Sequence, residues 1–162
     1  SKVIDALRGH EVFHAAAQPA SFIRPTLNRY DAGMQYGDHV DAHYINSERT
    51  DLSFTLFLSA PDSYDGGELV IDNAGHEDRI KGAAGTVVLY PSTAVHRVEE
   101  VRSGSRICCI GWVKSPVRSA EQRALLFEVE KVIADLRECG TLLPVYNRLL
   151  NVRNNLLRAF GE

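Results

Sequence analysis

Apolar positions along this chain change period twice. In residues 1–18, Val3, Ile4, Leu7, Val12 and Phe13 are interspersed among polar residues, which predicts a helix. From Phe22 to Val113 the pattern turns to short β-like runs, with candidate strands at 22–31, 38–44, 51–59, 67–72, 76–81, 85–90, 94–101 and 105–114. Turn formers separate them: Pro61-Asp62-Ser63-Tyr64-Asp65-Gly66-Gly67, Asn73-Ala74-Gly75, Gly82-Ala83-Ala84-Gly85 and Ser103-Gly104-Ser105. After Ser115-Pro116 the spacing is helical again, through Leu125, Leu126, Val129, Val132, Ile133 and Leu136 to a stop at Glu138-Cys139-Gly140. A second helix is expected after Pro144, carrying Tyr146, Leu149, Leu150, Leu156, Leu157 and Phe160.

Many short strands in so few residues predict a mainly β fold, a double-stranded β-helix (jelly roll) able to hold a metal and a small ligand between its sheets. The expected organisation is a jelly-roll domain with an N-terminal helix over residues 1–116, and a C-terminal helical segment over 117–162 packed on it. The apolar stripes of that segment suit either the cover of a sheet or a homodimer interface. No internal repeat, low-complexity segment or long linker interrupts the chain.

Composition narrows the function classes. At 162 residues with 44% hydrophobic and 24% charged positions, a folded core is expected. A net charge of −3 argues against a nucleic-acid partner. The longest apolar runs, such as Phe54–Leu58, are too short to cross a bilayer, and no signal peptide is visible, so a cytoplasmic setting is expected. Cys108 and Cys109 are neighbours on one strand and point to opposite faces, so the three cysteines read as buried, inert thiols.

The candidate chemistry begins at His39-Val40-Asp41, answered downstream by His96 and then Arg106. A His and an Asp two apart on a strand share a face, and one further His completes a facial set for an octahedral metal. Two imidazoles and one carboxylate with open positions is the arrangement of non-haem Fe(II) oxygenases. Arg106 adds a cationic fork for the carboxylate of an organic co-substrate, and a hairpin would set it beside His96.

Several blocks then resemble one family. Asn28-Arg29-Tyr30, Gly37-Asp38-His39-Val40-Asp41, Arg49-Thr50-Asp51-Leu52-Ser53, Thr55-Leu56-Phe57-Leu58-Ser59, Tyr64-Asp65-Gly66-Gly67-Glu68-Leu69-Val70, Leu89-Tyr90-Pro91-Ser92 and His96-Arg97-Val98 are similar to the bacterial PKHD-type hydroxylases. These are Fe(II)- and 2-oxoglutarate-dependent dioxygenases related to the prolyl 4-hydroxylase catalytic domain. The resemblance implies that His39, Asp41 and His96 bind iron, that Arg106 pairs with the distal carboxylate of 2-oxoglutarate, and that Tyr30 contacts the same co-substrate. It also implies L-ascorbate as a reductant and a link to bacterial iron homeostasis. Family members carry more chain upstream, so an N-terminal portion is expected to be absent. The short Ala42-His43-Tyr44-Ile45-Asn46-Ser47-Glu48 replaces a longer family segment and bears on substrate contacts at the mouth.

The expected reaction is hydroxylation of a small-molecule or peptide substrate with release of succinate and CO2. The rivals are a non-catalytic metal or small-ligand barrel and a cupin-like metalloenzyme that does not use 2-oxoglutarate. His43 shares strand parity with His39 and Asp41, so a His-x-Asp-x-His zinc site is a further alternative, although it gives Arg106 no role. His10, His14 and His76 read as surface residues, Gly66-Gly67-Glu68 as a turn, and Glu99-Glu100 as a solvated face. Trp112 shares parity with Arg106 and Ile110 and is expected inside the barrel.

Overall fold

The computed structural model describes residues 1–140 and 143–162. They form two compact units, one of residues 22–114 and one joining 1–21 to 115–162. The expected boundary at 116/117 kept the N-terminal helix with the barrel, whereas the compact units group it with the C-terminal helices.

The strands run β1 (Ser21–Asp31), β2 (Tyr36–His39), β3 (Tyr44–Ile45), β4 (Glu48–Arg49), β5 (Leu52–Phe57), β6 (Tyr64–Gly66), β7 (Leu69–Asn73), β8 (His76–Ile80), β9 (Val87–Pro91), β10 (His96–Val98) and β11 (Val101–Lys114). One sheet has the order β1-β11-β5-β9, with β6 also pairing β11; a second has the order β2-β10-β7-β8; β3 and β4 form a small hairpin. This is the jelly roll that the strand pattern predicts. β10 pairs antiparallel with β7, and β5 pairs antiparallel with both β11 and β9; non-consecutive strands lie side by side because the chain passes repeatedly between the sheets.

The core sits between the two main sheets. Phe57 and Tyr90 from the first meet Leu69 and Ile71 from the second, with Ile80, Val88 and Ala94 packed around them. Burying each of the large aliphatic or aromatic side chains contributes about 1.5–3 kcal/mol, so this cluster holds the faces of the site at fixed spacing.

Two local departures from the expected strands bear on the site. The strand expected at 38–44 ends at His39, and Asp41 lies beyond it. β11 starts at Val101 and runs straight through Ser103-Gly104-Ser105, which reads as a turn in sequence. Gly104 takes φ +73 there, and a β-carbon at that position would collide with the Ser63 carbonyl oxygen. The turn signal therefore marks a close backbone approach within a strand, a use of glycine that sequence spacing does not distinguish. The Gly66-Gly67-Glu68 block closes β6, as a strand-associated turn should.

The other unit is helical: α1 (Lys2–Gly9), α2 (Glu11–Ala17), α3 (Ala120–Cys139) and α4 (Leu143–Phe160). The single N-terminal helix that the pattern predicts is broken at His10, whose Nδ1 accepts from the Phe13 amide at 3.3 Å and caps α2. Ser119 caps α3, and Gly140 ends it in the left-handed region. Leu126 and Ile133 are buried, while Leu125 and Val132, from the same predicted stripe, are exposed. Arg123 is buried as well and donates to the carbonyls of Val117 and Arg118, both at 2.8 Å. Among the described residues no helix is long and apolar enough to cross a membrane.

Candidate metal centre

His39 ends β2, His96 opens β10, and the two face each other in register. Their ring centroids are 4.2 Å apart. Asp41 reaches the same point from outside any strand. Its amide donates to the Ser92 carbonyl at 3.3 Å, which anchors the chain just past β2 to the segment after β9. Strand parity is thus not what brings Asp41 to His39; a bond to the loop after β9 does. The Nε2 atoms of His39 and His96 lie 3.8 Å from Asp41 Oδ1 and Oδ2 respectively. Among the described residues this trio is the one cluster of three such ligands, its donor atoms all within 4.8 Å of one another.

Each imidazole is oriented from behind. His39 Nδ1 is 2.8 Å from the Gly37 carbonyl and His96 Nδ1 is 3.0 Å from that of Ala94. A carbonyl can only accept, so Nδ1 carries the proton in both rings and a neutral ring leaves the Nε2 lone pair free. Burial pushes the His96 pKa down despite the opposing pull of the Ala94 carbonyl and Asp41, which favours that neutral form. Two neutral imidazoles and a carboxylate fit a divalent iron ion and leave coordination positions for small ligands.

Arg106 lies on β11 and therefore in the other sheet from His96, not beside it in a hairpin. The chain changes sheets between β10 and β11, because β10 is already paired on both edges, by β2 and β7. The two residues instead line one cavity of about 380 Å³, together with Tyr30, Asp41, His39 and Trp112. Arg106 is 1% exposed. Its Nε and Nη2 are buried with no hydrogen-bond partner, and among the described residues no carboxylate pairs with it. A buried, uncompensated cation is costly, so an anion entering this cavity would meet a fork already in place.

Aromatic groups frame that fork. The rings of Tyr30 and Phe57 lie 5.3 Å and 5.2 Å from the guanidinium carbon. Burial raises the Tyr30 pKa, with Arg106 and a bond to Asn28 opposing, so its hydroxyl remains a neutral donor. Tyr90 packs its ring 4.9 Å from that of His96, and burial raises its hydroxyl pKa strongly, reinforced by Asp41 and opposed by a bond to Thr55 and by the Arg106 charge. Trp112 also lines the cavity, as expected, with a buried Nε1 lacking a partner.

The remaining candidates fall outside the cluster. His43 is exposed and stacks edge-on with Tyr44 at 5.3 Å, so a His-x-Asp-x-His zinc site does not form. His14 and His76 are exposed, as is the capping His10. Glu99 is not merely solvated, since it accepts from Arg97 at 2.9 Å and Arg79 at 3.1 Å. Cys108 and Cys109 are buried, but Cys139 is exposed, contrary to the expectation for all three. Ser53, Ser92, Tyr36 and Tyr90 escaped sequence reasoning as site residues. Ser53, Ser92 and Tyr90 stand inside the family-like blocks, where no side-chain chemistry singled them out; Tyr36, whose ring is 3.9 Å from that of His39, lies just outside those blocks.

A jelly roll enclosing two His, one Asp and a buried Arg defines a metal-dependent oxygenase of the hydroxylase kind. The family model of the 2OG-Fe(II) oxygenase superfamily matches residues 25–114, and the chain belongs to that superfamily. A PKHD-type hydroxylase from Parvibaculum lavamentivorans is 47% identical over 156 residues, covering 96% of this chain and 71% of the relative. One from Maricaulis maris is 44% identical, covering 100% and 74%. Among solved structures, a Pseudomonas putida prolyl-4-hydroxylase superposes with a TM-score of 0.55 at 25% identity, over 69% of this chain and 63% of that one. A viral collagen prolyl hydroxylase of Paramecium Bursaria Chlorella virus-1, solved as a 2OG complex, shares the fold with a TM-score of 0.50 at 21% identity, over 70% and 69%.

Proposed function

We propose that this chain is a Fe(II)- and 2-oxoglutarate-dependent hydroxylase, with His39, Asp41 and His96 holding the iron and Arg106 holding the distal carboxylate of 2-oxoglutarate. The observation that carries the reading is the buried guanidinium of Arg106, with Nε and Nη2 lacking a hydrogen-bond partner, sharing one cavity with the three ligands. The viral relative's complex with 2OG supports the choice of co-substrate. With iron and 2-oxoglutarate bound, O2 oxidises the co-substrate to succinate and CO2, and one oxygen atom goes to a substrate C–H bond. The protein's own contribution is geometric. The Nδ1–carbonyl bonds aim two Nε2 atoms at one point, the Arg106 fork sets the depth of the co-substrate, and the Leu69 and Tyr90 side chains in the lining exclude water.

Family resemblance extends the reading to L-ascorbate as a reductant and to a role in bacterial iron homeostasis. The free thiols fit a reducing, cytoplasmic setting. The test is succinate formation from 2-oxoglutarate in the presence of Fe(II) and O2, with and without ascorbate. Iron bound with neither succinate formed nor 2-oxoglutarate bound would favour a binding barrel or a cupin-like metalloenzyme.

A further inference from the structure

Asp41 is the one member of the trio that no strand holds, yet its carboxylate is the most elaborately supported. Oδ2 accepts from the Ser53 hydroxyl at 2.5 Å. Ser53 Oγ lies 2.9 Å from Ser92 Oγ. Both serines are nearly sealed, at 2% and 3% exposure. A serine hydroxyl has one proton, and an ionised carboxylate can only accept. Ser53 therefore donates to Asp41, and in the second contact Ser92 must be the donor. The result is a one-way chain, Ser92 O–H to Ser53 Oγ and Ser53 O–H to Asp41 Oδ2. Ser53 sits on β5, opposite Tyr90 of β9, and Ser92 follows β9 directly. The carboxylate is thus set by one sheet while the two imidazoles come from the other.

We propose that Ser53 is a positioning residue for the metal centre: it holds Asp41 Oδ2 and leaves Oδ1 as the single ligating oxygen, with Ser92 fixing the direction of the Ser53 hydroxyl. A charge-assisted bond of this kind restrains the carboxylate against rotation, which disfavours two-oxygen ligation and keeps coordination positions open. The proposal rests on the metal centre proposed above. A serine that merely fills space would be replaced by alanine without effect on the metal.

Co(II) serves as the probe, because its visible absorption reports ligand number and geometry. Dissociation constants and spectra are measured for the wild type, Ser53→Ala, Ser53→Thr, Ser92→Ala and Asp41→Ala, alongside metal-free thermal melts. Ser53→Ala is expected to weaken Co(II) binding about 10- to 100-fold, the range typical of groups that orient a metal ligand, and to shift the visible bands. Ser53→Thr, which keeps the hydroxyl, should restore both, and Ser92→Ala should give a smaller loss with a native melt. Wild-type affinity and spectrum in Ser53→Ala overturn the proposal, as does an equal loss in Ser53→Ala and Ser53→Thr. If Ser53→Ala does not fold, unchanged Co(II) affinity in Ser92→Ala overturns it instead. A wild type that takes up no Co(II), or an Asp41→Ala variant that binds like it, removes the metal centre itself and the positioning role with it.

Discussion

Arg106 places its Nη1 3.0 Å from the sulfur of Cys108, two residues further along β11. Burial pushes the Cys108 thiol pKa up, against the pull of the guanidinium beside it, so the sulfur stays a neutral, weak acceptor and does not cancel the charge. The cation keeps its two remaining donor nitrogens for whatever anion enters the cavity.

That arrangement makes the guanidinium shape, rather than its charge, the quantity to test. Arg106→Lys keeps the charge and loses the planar fork. The affinity for 2-oxoglutarate should fall by one to two decades, on the order of 1.4–3 kcal/mol, in calorimetric titration of the metal-loaded protein. Wild-type affinity in Arg106→Lys and in Arg106→Ala would assign the carboxylate to another residue.

Removing any member of the trio should abolish stoichiometric metal binding and leave the sheets intact. His39→Ala, Asp41→Ala and His96→Ala are each expected to lose Fe(II) measured by metal analysis, with the β signature retained in circular dichroism. The core cluster of Phe57, Leu69, Ile71 and Tyr90 contains none of the three, which is why fold and metal should separate. Full metal content in Asp41→Ala would contradict the assignment.

The three thiols should react at very different rates. Cys139 is exposed near the end of α3, and Cys108 and Cys109 are buried. Burial is the first cause of the raised pKa of both buried thiols. A thiol reagent near pH 8 should therefore titrate one group quickly in the native protein and three after denaturation. The folded state holds these two protons more tightly than the unfolded chain, so this contribution to stability is present below the ordinary thiol pKa of about 8.5 and is lost as pH rises through the raised values. Three fast-reacting thiols in the native protein would show that β11 opens readily.

Gly104→Ala should destabilise the barrel by more than the roughly 1–2 kcal/mol that a left-handed alanine costs, because the added methyl also meets the backbone of Ser63 and Tyr64. Thermal unfolding measures it. Gly75 takes φ +91 with nothing within 4 Å of its β-carbon position, so Gly75→Ala should cost only the conformational part and serves as the control. Equal shifts in the two variants would show that the close approach to Ser63 does not matter.

Much of this molecule is legible as a string of residues because the signals are local. Short β-like runs between turn formers marked the strands, helical spacing marked the helices, and the spacing of His39, Asp41, His96 and Arg106 marked residues that line one cavity. What the string could not show were contacts between strands distant in the chain. It placed Asp41 on a strand that in fact ends at His39, and Arg106 in a hairpin with a residue of the opposite sheet. It read Gly104 as a turn, since a glycine needed for close approach and one needed for chain reversal look alike until the neighbouring backbone is known. Ser53 and Ser92 are 39 residues apart and chemically ordinary; only the pairing of β5 with β9 sets their hydroxyls together behind Asp41. Residue type and spacing determined which groups this protein has for chemistry. Tertiary structure decided which atoms of those groups face the cavity, because hydrogen-bond direction and burial are properties of neighbours that the chain order does not contain.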